Sequence, residues 1–246
     1  MNIRYFKEYS HHLNRDMEFK VYGDGGKLCF AFPPQNGKHG DFESFGMVDT
    51  IARWIEAGKI MLVCPDAIDE ESWSAQDGDP AYRAAQQEKY YNYITEELYP
   101  RVKELGSCNG KALATGCSMG AAHAAIFFFR RPDLFDTVVA LSGVYDANLF
   151  FPGYMDETLY FNSPVHFLAN MPADHEHMNL YKKSDIIICV GQGAWEDEMI
   201  ASTKALENVM NAKEIPAWVD YWGYDVNHDW NWWQKQLPYF FEKLFN

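Results

Sequence analysis

Short apolar segments alternate with longer helical patterns through most of this chain, and that alternation limits the fold more than any other feature. Residues 60–64 (IMLVC) end at Pro65-Asp66, as expected of a strand that is buried on both faces. Strands joined by long helices predict right-handed crossovers and a mostly parallel sheet with helices on both faces. Comparable apolar runs cover 111–115, 137–141 and 185–190, and helical patterns cover 50–57, 82–105, 119–130 and 198–212.

The two ends of the chain complete this α/β pattern. Residues 3–9, 17–22 and 28–32 are strand-like and are separated by turn residues, which predicts an antiparallel N-terminal edge on the sheet. A last strand over 217–222 leads through a loop into a helix over 230–244.

One segment, 145–183, lacks a clear period and contains several Pro, Asn and His residues. We expect it to form loops and short helices over a site at the carboxyl ends of the strands, where ligands bind in such sheets. No repeat, low-complexity tract or linker divides the sequence, so we expect one α/β domain over residues 1–246.

The composition excludes several classes of partner. With 21 Lys and Arg against 35 Asp and Glu, the formal net charge is −14, which disfavours binding to nucleic acid. The most apolar stretch, 121–129, is too short to span a membrane, and the N-terminus does not resemble a signal peptide. We therefore expect a cytoplasmic protein without a membrane partner, and both a monomer and a homo-oligomer remain open. The cysteines favour a reducing compartment over a disulfide scaffold or zinc site because no C-x-x-C pair occurs among positions 29, 64, 108, 117 and 189.

A glycine-bounded serine marks the candidate nucleophile. The sequence Gly116-Cys117-Ser118-Met119-Gly120 matches G-x-S-x-G, follows the apolar run KALAT and opens a helix rich in small residues. Such a turn raises the serine above the sheet, at a helix N-terminus whose N–H groups face a developing oxyanion. The sequence therefore predicts Ser118 as the nucleophile; the alternative is an ordinary glycine-bounded turn between strand and helix.

The candidate base and acid follow the last two strands. His228 lies in GYDVNHDW between the final strand and the final helix, where an α/β-hydrolase places its catalytic histidine, although a surface or capping histidine is the alternative. The loop after residues 185–190 supplies Asp197 and Glu196, of which we favour Asp197. The chain order Ser118, Asp197, His228 is the order of this fold, in which the carboxylate orients the imidazole.

Other histidines have simpler interpretations. His123 falls on the apolar helix and is expected to be a core residue. His175 and His177 lie beside acidic residues and are the alternative as metal ligands, but their spacing fits no strong metal motif. We therefore predict neither a metal nor another cofactor.

An oxyanion hole needs two N–H donors, and the sequence offers candidates for both. Met119, directly after the nucleophile, supplies one. The loop after residues 28–32 begins Pro33-Pro34, which lack N–H groups, so Gln35 is the first candidate for the second donor and Asn36 the next. Aromatic pocket walls are predicted at Trp73 and Trp195, with core packing as the alternative.

These motifs together resemble the esterase D-like family of α/β-hydrolases, which includes S-formylglutathione hydrolases, feruloyl and acetyl-xylan esterases and mycolyltransferases. The resemblance covers residues 28–240 and rests on GCSMGA, on ESW before a long helix, on the acidic loop ending at Asp197, and on GYDVNHDW. It implies ester hydrolysis by a serine nucleophile. S-formylglutathione hydrolases have a histidine where this chain has Cys117, so thioester specificity is not implied.

The sequence therefore predicts a serine carboxylesterase that acts on a small or medium ester through an acyl-enzyme on Ser118, with His228 as the base. Three other functions remain open. An acyltransferase would use the same chemistry with a different acceptor, a catalytically silent hydrolase scaffold would only bind, and a metal-dependent hydrolase would use His175 and His177.

Overall fold

A computed structural model describes residues 1–245, which are organised around a nine-stranded mixed sheet. The strands are β1 (Ile3–Ser10), β2 (Arg15–Tyr22), β3 (Gly25–Phe32), β4 (Ile60–Pro65), β5 (Ser107–Cys108), β6 (Ala112–Cys117), β7 (Phe135–Leu141), β8 (Asp185–Val190) and β9 (Trp218–Tyr221). The α-helices are α1 (Asp41–Ser44), α2 (Met47–Glu56), α3 (Pro80–Asn92), α4 (Tyr99–Glu104), α5 (Met119–Arg130), α6 (Glu157–Phe161), α7 (Pro164–Asn170), α8 (Glu176–Tyr181), α9 (Asp197–Ala212) and α10 (Trp230–Phe245).

The strand order is β1-β2-β4-β3-β6-β7-β8-β9, and β5 pairs with β3 outside this path. β1 pairs with β2 and β2 with β4 in antiparallel fashion, whereas every pairing from β4–β3 to β8–β9 is parallel. The structure thus confirms the predicted mostly parallel sheet with an antiparallel N-terminal edge. Because the parallel strands run the same way, their carboxyl ends meet at one edge of the sheet.

Alternating side chains of the central strands divide the core into two layers. In β3, Leu28 and Phe30 pack with residues of α3 and α5, whereas Cys29 and Ala31 pack with residues of α2 and α10. This is the period of two that a strand imposes when both of its faces are covered. The sheet is therefore sandwiched between helices, and its strand ends are the part of the structure left open for a site.

The helix that begins at Pro80 shows how local sequence sets an element boundary. The Asp79 side chain accepts a hydrogen bond from the Ala81 N–H at 3.3 Å, and proline occupies the first helical position, where no N–H is needed. A π-helical segment, Tyr93–Leu98, joins α3 to α4.

The segment 145–183 forms short helices. Residues 147–149 make a 3₁₀ turn, and α6, α7 and α8 follow it with five, seven and six residues. Among residues 1–245, no helix combines the length and the apolar character that crossing a membrane requires. All five cysteines are free thiols, and only Cys108 is not fully buried.

Candidate active site

Ser118 occupies a strained turn between β6 and α5. Its backbone has φ 57° and ψ −124°, which places a non-glycine residue in a sparsely populated region. The Ser118 N–H donates to the Leu141 carbonyl at 2.9 Å, which ties the turn to the end of the neighbouring strand β7. The hydroxyl therefore stands at the carboxyl edge of the sheet, partly exposed.

The two glycines of the motif are required because the backbone is so close on either side of the turn. A Cβ on Gly116 would lie 2.3 Å from the Gly120 carbonyl carbon, and a Cβ on Gly120 would lie 2.1 Å from the Phe32 carbonyl oxygen. No side chain fits at either distance. The pattern G-x-S-x-G is thus a steric consequence of packing α5 against β3 and β6.

His228 reaches Ser118 from the loop between β9 and α10. Its Nε2 lies 2.9 Å from Ser118 Oγ, within hydrogen-bond distance. The loop is held by the segment after β8, because Ala194 accepts a hydrogen bond from the His228 N–H at 3.0 Å and donates its own N–H to Asn227 Oδ1 at 2.8 Å. The indole of Trp233 lies edge-on to the imidazole at a centroid distance of 4.9 Å and limits the orientation of the ring.

The carboxylate beside His228 belongs to Glu196, whereas the sequence favoured Asp197. Glu196 is fully buried, and its Oε2 lies 3.4 Å from His228 Nδ1, a long contact of the kind that tightens when a catalytic site is occupied. Asp197 is exposed as the first residue of α9, where a negative charge interacts favourably with the helix dipole. The loop thus presents the residue before the helix to the imidazole, and the residue that begins the helix to solvent.

Ser142 supports Glu196 from the end of β7, although no motif in the sequence marks it as part of the site. Its hydroxyl donates to Glu196 Oε1 at 2.6 Å and accepts a hydrogen bond from Trp233 Nε1–H at 3.3 Å. Ser142 has φ 57°, another left-handed backbone at the carboxyl edge of the sheet. Both carboxylate oxygens of the buried Glu196 therefore have a partner, as a buried charge requires.

Cys117 is adjacent to the candidate nucleophile Ser118 but is not accessible for reaction. Its side chain is fully buried in the core layer of α2 and α10, on the other face of the sheet. Burial raises the pKa of the Cys117 thiol well above its ordinary value, so the reactive thiolate form does not accumulate.

The two predicted oxyanion donors lie on different elements that meet at Ser118. Met119 is the first residue of α5, and Gln35 lies in the turn after β3; both line the same cavity as Ser118. The N–H of Asn36, the other candidate, donates to Asp69 Oδ2 at 3.1 Å and is therefore occupied. Among residues 1–245 the Gln35 N–H has no acceptor, so it is free to bind a ligand oxygen.

A cavity of about 360 Å³ opens beside Ser118. Its walls come from the Gln35 turn, the ends of β6 and β7, the start of the 145–183 segment and the first turn of α9. Polar side chains and apolar side chains both contribute: Gln35, Gln76, Ser118, Ser142, Glu198 and His228 on one hand, and Met119, Val144, Leu149, Phe150 and Met199 on the other.

The two tryptophans predicted as pocket walls, Trp73 and Trp195, do not line the cavity. Trp73 is buried behind the cavity, where its indole N–H donates to Gln87 Oε1 at 3.0 Å and its ring packs edge-on against Phe150. Trp195 is 83% exposed and has φ 67°. Phe150 is the aromatic residue that lines the cavity. The weak periodicity of the 145–183 segment indicated loops over the site but did not single out this residue.

The remaining histidines have structural partners. Within residues 1–245 there is no group of three or more His, Cys, Asp or Glu side chains that could hold a metal ion. His175 Nδ1 accepts a hydrogen bond from the His177 N–H at 3.2 Å and caps α8, and burial, together with the nearby His175, lowers the pKa of His177. His123 is buried as expected, but it is paired with Asp69, a partner that the sequence did not indicate.

The serine stands at the carboxyl edge of a mostly parallel sheet, and an imidazole from the loop after the last strand is within reach of it. This arrangement defines an α/β-hydrolase, and the chain has that fold. Residues 10–244 match the model of the esterase family described as "Putative esterase". The chain belongs to this family and is a carboxylesterase-type hydrolase. No curated protein matches the sequence.

Solved structures share this fold at low sequence identity. An S-formylglutathione hydrolase (FrmB) from Staphylococcus aureus is 16% identical, with a TM-score of 0.73 over 100% of this chain and 97% of that one. A ferulic acid esterase from Anaeromyces mucronatus is 14% identical, with a TM-score of 0.71 over 96% and 88% of the two chains. MPT51 (FbpC1) from Mycobacterium tuberculosis is also 14% identical, with a TM-score of 0.75 over 99% and 98%. At such identities the likeness shows the fold alone.

Proposed function

We propose that this enzyme hydrolyses a small or medium carboxylic ester through an acyl-enzyme on Ser118. The observation that carries the proposal is the 2.9 Å contact between Ser118 Oγ and His228 Nε2, at a serine whose strained turn points it into a cavity. The cavity volume of about 360 Å³ lies at the lower end of the range for small-molecule sites and fits an ester of this size.

In the proposed reaction, His228 Nε2 takes the hydroxyl proton as Ser118 Oγ attacks the ester carbonyl carbon. The negative charge that develops on the carbonyl oxygen is stabilised by the N–H groups of Met119 and Gln35. The tetrahedral intermediate collapses, the C–O bond of the ester breaks, and His228 returns its proton to the leaving alkoxide. Water, deprotonated by His228, then attacks the acyl-enzyme, and the acid is released with regeneration of the Ser118 hydroxyl.

The proposed role of Glu196 is to hold the imidazole in the tautomer that accepts at Nε2. A carboxylate at Nδ1 requires Nδ1 to carry the proton, and it stabilises the imidazolium that forms during attack. Glu196 replaces Asp197 in this role because it is the carboxylate that faces the ring. Ser142 keeps Glu196 in place by donating to its other oxygen.

The test uses Ser118→Ala with Ser184→Ala as its matched control. Ser184 is a partly buried serine that donates to the Leu180 carbonyl, outside the residues that line the cavity. We expect Ser118→Ala to lose hydrolysis of p-nitrophenyl acetate and labelling by a fluorophosphonate, and Ser184→Ala to keep both. Hydrolysis that survives in Ser118→Ala would refute the proposal, and an absence of any labelling in the wild type would favour a binding scaffold.

The acyl acceptor is tested in the same assay. We propose water as the acceptor, so the free acid should remain the main product when alcohols or sugars are added. Transesterified product in their presence would instead identify an acyltransferase of the same fold.

We also propose that the enzyme works in the cytoplasm. The five unpaired cysteines, four of them buried, fit a reducing compartment in which no disulfide is needed. Cell fractionation with an antibody to the native chain tests the location, and recovery in a secreted fraction would contradict it.

A further inference from the structure

A buried histidine–carboxylate pair lies beneath the active site and takes no part in the proposed reaction. His123 Nε2 lies 2.8 Å from Asp69 Oδ1, and the two side chains are 1% and 0% exposed. We propose that Asp69, together with His123, is a positioning residue that holds the Gln35 turn so that its N–H faces Ser118. This inference rests on the proposed esterase function and deepens it.

Asp69 connects to the turn through its second oxygen. Oδ2 accepts the Asn36 N–H at 3.1 Å, so the two oxygens of one buried carboxylate are shared between the Gln35 turn and the helix α5. The backbone of Asp69 adds a further tie, because its carbonyl accepts the Ser74 N–H at 2.8 Å and Ser74 Oγ accepts the Gln35 side-chain amide at 2.9 Å.

The turn is also held at Gly37, whose carbonyl accepts the Ala67 N–H at 3.2 Å. The Gly37 N–H donates to the Pro34 carbonyl at 2.8 Å, which closes the turn around Gln35 and Asn36. Asn36 has φ 60°, so the turn holds a non-glycine residue in a left-handed conformation. The Asn36–Asp69 hydrogen bond fixes the orientation of the peptide that follows Gln35. Without it, the peptide between Gln35 and Asn36 loses the acceptor for its N–H, and we expect the Gln35 N–H, one peptide earlier, to be held less firmly.

His123 ties the same carboxylate to the other oxyanion donor. It lies four residues after Met119 on α5, so both residues are on one face of the helix. The chain of contacts from Asn36 through Asp69 to His123 therefore spans the two elements that carry the Gln35 and Met119 N–H groups. A shift of one element against the other would stretch a hydrogen bond in a site that excludes water.

The surroundings of the pair make these hydrogen bonds strong. The rings of Phe32, Tyr90 and Phe127 lie 6.1, 5.3 and 6.4 Å from the His123 ring, centroid to centroid. Burial, reinforced by the nearby Asp69, raises the pKa of Tyr90 well above its ordinary value, so its hydroxyl stays neutral. His123 Nδ1 has no hydrogen-bond partner within residues 1–245, so the contact between Nε2 and Asp69 is the hydrogen bond that orients the ring. In this low-dielectric layer the carboxylate and its two donors form a rigid unit.

The experiment compares Asp69→Ala with Asp69→Asn in the full-length enzyme. Asp69→Ala removes the acceptor for the Asn36 N–H, and we expect kcat for p-nitrophenyl acetate to fall by about 100-fold or more, the effect of losing one oxyanion donor. The KM should change by less than about threefold, because the donor acts on the transition state. Asp69→Asn keeps an oxygen for the Asn36 N–H, so its kcat should stay within about tenfold of the wild type.

Counting active sites distinguishes a positioning role of Asp69 from a role in folding alone. The end point of fluorophosphonate labelling gives the fraction of folded, competent enzyme, and kcat is expressed per labelled site. Ile55→Ala serves as the control, because Ile55 is buried in the α2 layer away from the cavity and its truncation destabilises the fold without touching the turn. We expect Ile55→Ala to keep the wild-type kcat per labelled site.

An Asp69→Ala enzyme with kcat per site within threefold of the wild type would overturn the inference, and so would equal losses in Asp69→Ala and Asp69→Asn. If Asp69→Ala does not fold, His123→Leu and His123→Gln replace it. Glutamine can donate to Asp69 and leucine cannot, so kcat should fall by about tenfold in His123→Leu and by less than threefold in His123→Gln. Equal kcat in these two variants would likewise refute the inference. If Ser118→Ala abolished the activity and Asp69→Ala left it unchanged, the inference would be refuted and the proposed esterase function would stand.

Discussion

Replacing Glu196 with glutamine tests which carboxylate serves the active site. The substitution is nearly isosteric, and the amide oxygen can still accept from the Ser142 hydroxyl, which lies 2.6 Å from Glu196 Oε1. The amide nitrogen then faces His228 Nδ1, where the wild type has a carboxylate oxygen at 3.4 Å. An N–H at that position stabilises the tautomer in which Nδ1 accepts and Nε2 carries the proton, and Nε2 then cannot take the proton of Ser118.

The expected magnitude follows from that tautomer change. In a serine hydrolase, an acid-to-amide substitution that leaves the geometry intact lowers kcat by about 10⁴-fold, which corresponds to about 5 kcal/mol in the barrier. Asp197→Asn is the matched control, because Asp197 is exposed at the start of α9, and a surface substitution changes energies by about 0.5 kcal/mol or less. Its kcat should therefore stay within about threefold of the wild type.

The assay is steady-state hydrolysis of p-nitrophenyl acetate, with the site concentration taken from fluorophosphonate labelling and folding checked by thermal unfolding. Glu196→Asp adds a third point. Its shorter side chain cannot reach both His228 and Ser142, so we expect a kcat between those of the wild type and Glu196→Gln. If Asp197→Asn lost activity while Glu196→Gln kept it, the assignment of the acid from geometry would be wrong.

Three further predictions concern stability and reactivity. Gly120→Ala should lower the free energy of unfolding in urea by at least about 2 kcal/mol, because the new Cβ would lie 2.1 Å from a carbonyl oxygen. The control Gly40→Ala, whose Cβ would have no atom within 4 Å, should change that free energy by less than about 0.5 kcal/mol. Burial alone would raise the pKa of Glu88. The hydrogen bonds from Arg130 at 2.7 and 2.8 Å, the positive charge of Arg130 and a hydrogen bond from Asn162 together outweigh burial and hold that pKa below its ordinary value. Ionised Glu88 therefore stabilises the fold above about pH 4.3, and Glu88→Gln should be about 1 kcal/mol less stable than the wild type at pH 7. This difference in the free energy of unfolding should disappear as the pH falls through the lowered pKa. A constant difference down to pH 3 would contradict the prediction. Iodoacetamide should label the native protein slowly, and at Cys108 alone, with all five cysteines reacting after unfolding, as mass spectrometry of the peptides can show.

Much of the fold could be predicted from the sequence because its signals are local. The apolar run over 60–64 and its proline boundary describe one strand, and the structure ends β4 at that proline. The same holds for the glycines around Ser118, since the collision that they avoid involves the turn itself and the strand beside it. The position of His228 could be predicted because the loop that follows the last strand must begin at the carboxyl edge of the sheet, where Ser118 also lies.

The acid and the cavity walls could not be predicted in this way. Glu196 and Asp197 are adjacent, and which of them meets His228 depends on how the loop turns at Trp195, where φ is 67°. The Asp69–His123 pair joins residues 54 positions apart, and no pattern near either one indicates the other.

The sequence by itself determined the sheet, the serine turn and the position of the histidine, because neighbouring residues and strand periodicity encode them. Only the tertiary structure decided which carboxylate faces the imidazole, that Phe150 and not Trp73 or Trp195 lines the cavity, and what holds the Gln35 turn. The physical reason is that these contacts depend on the direction of single side chains at loop ends, which is set by packing between elements distant in the chain.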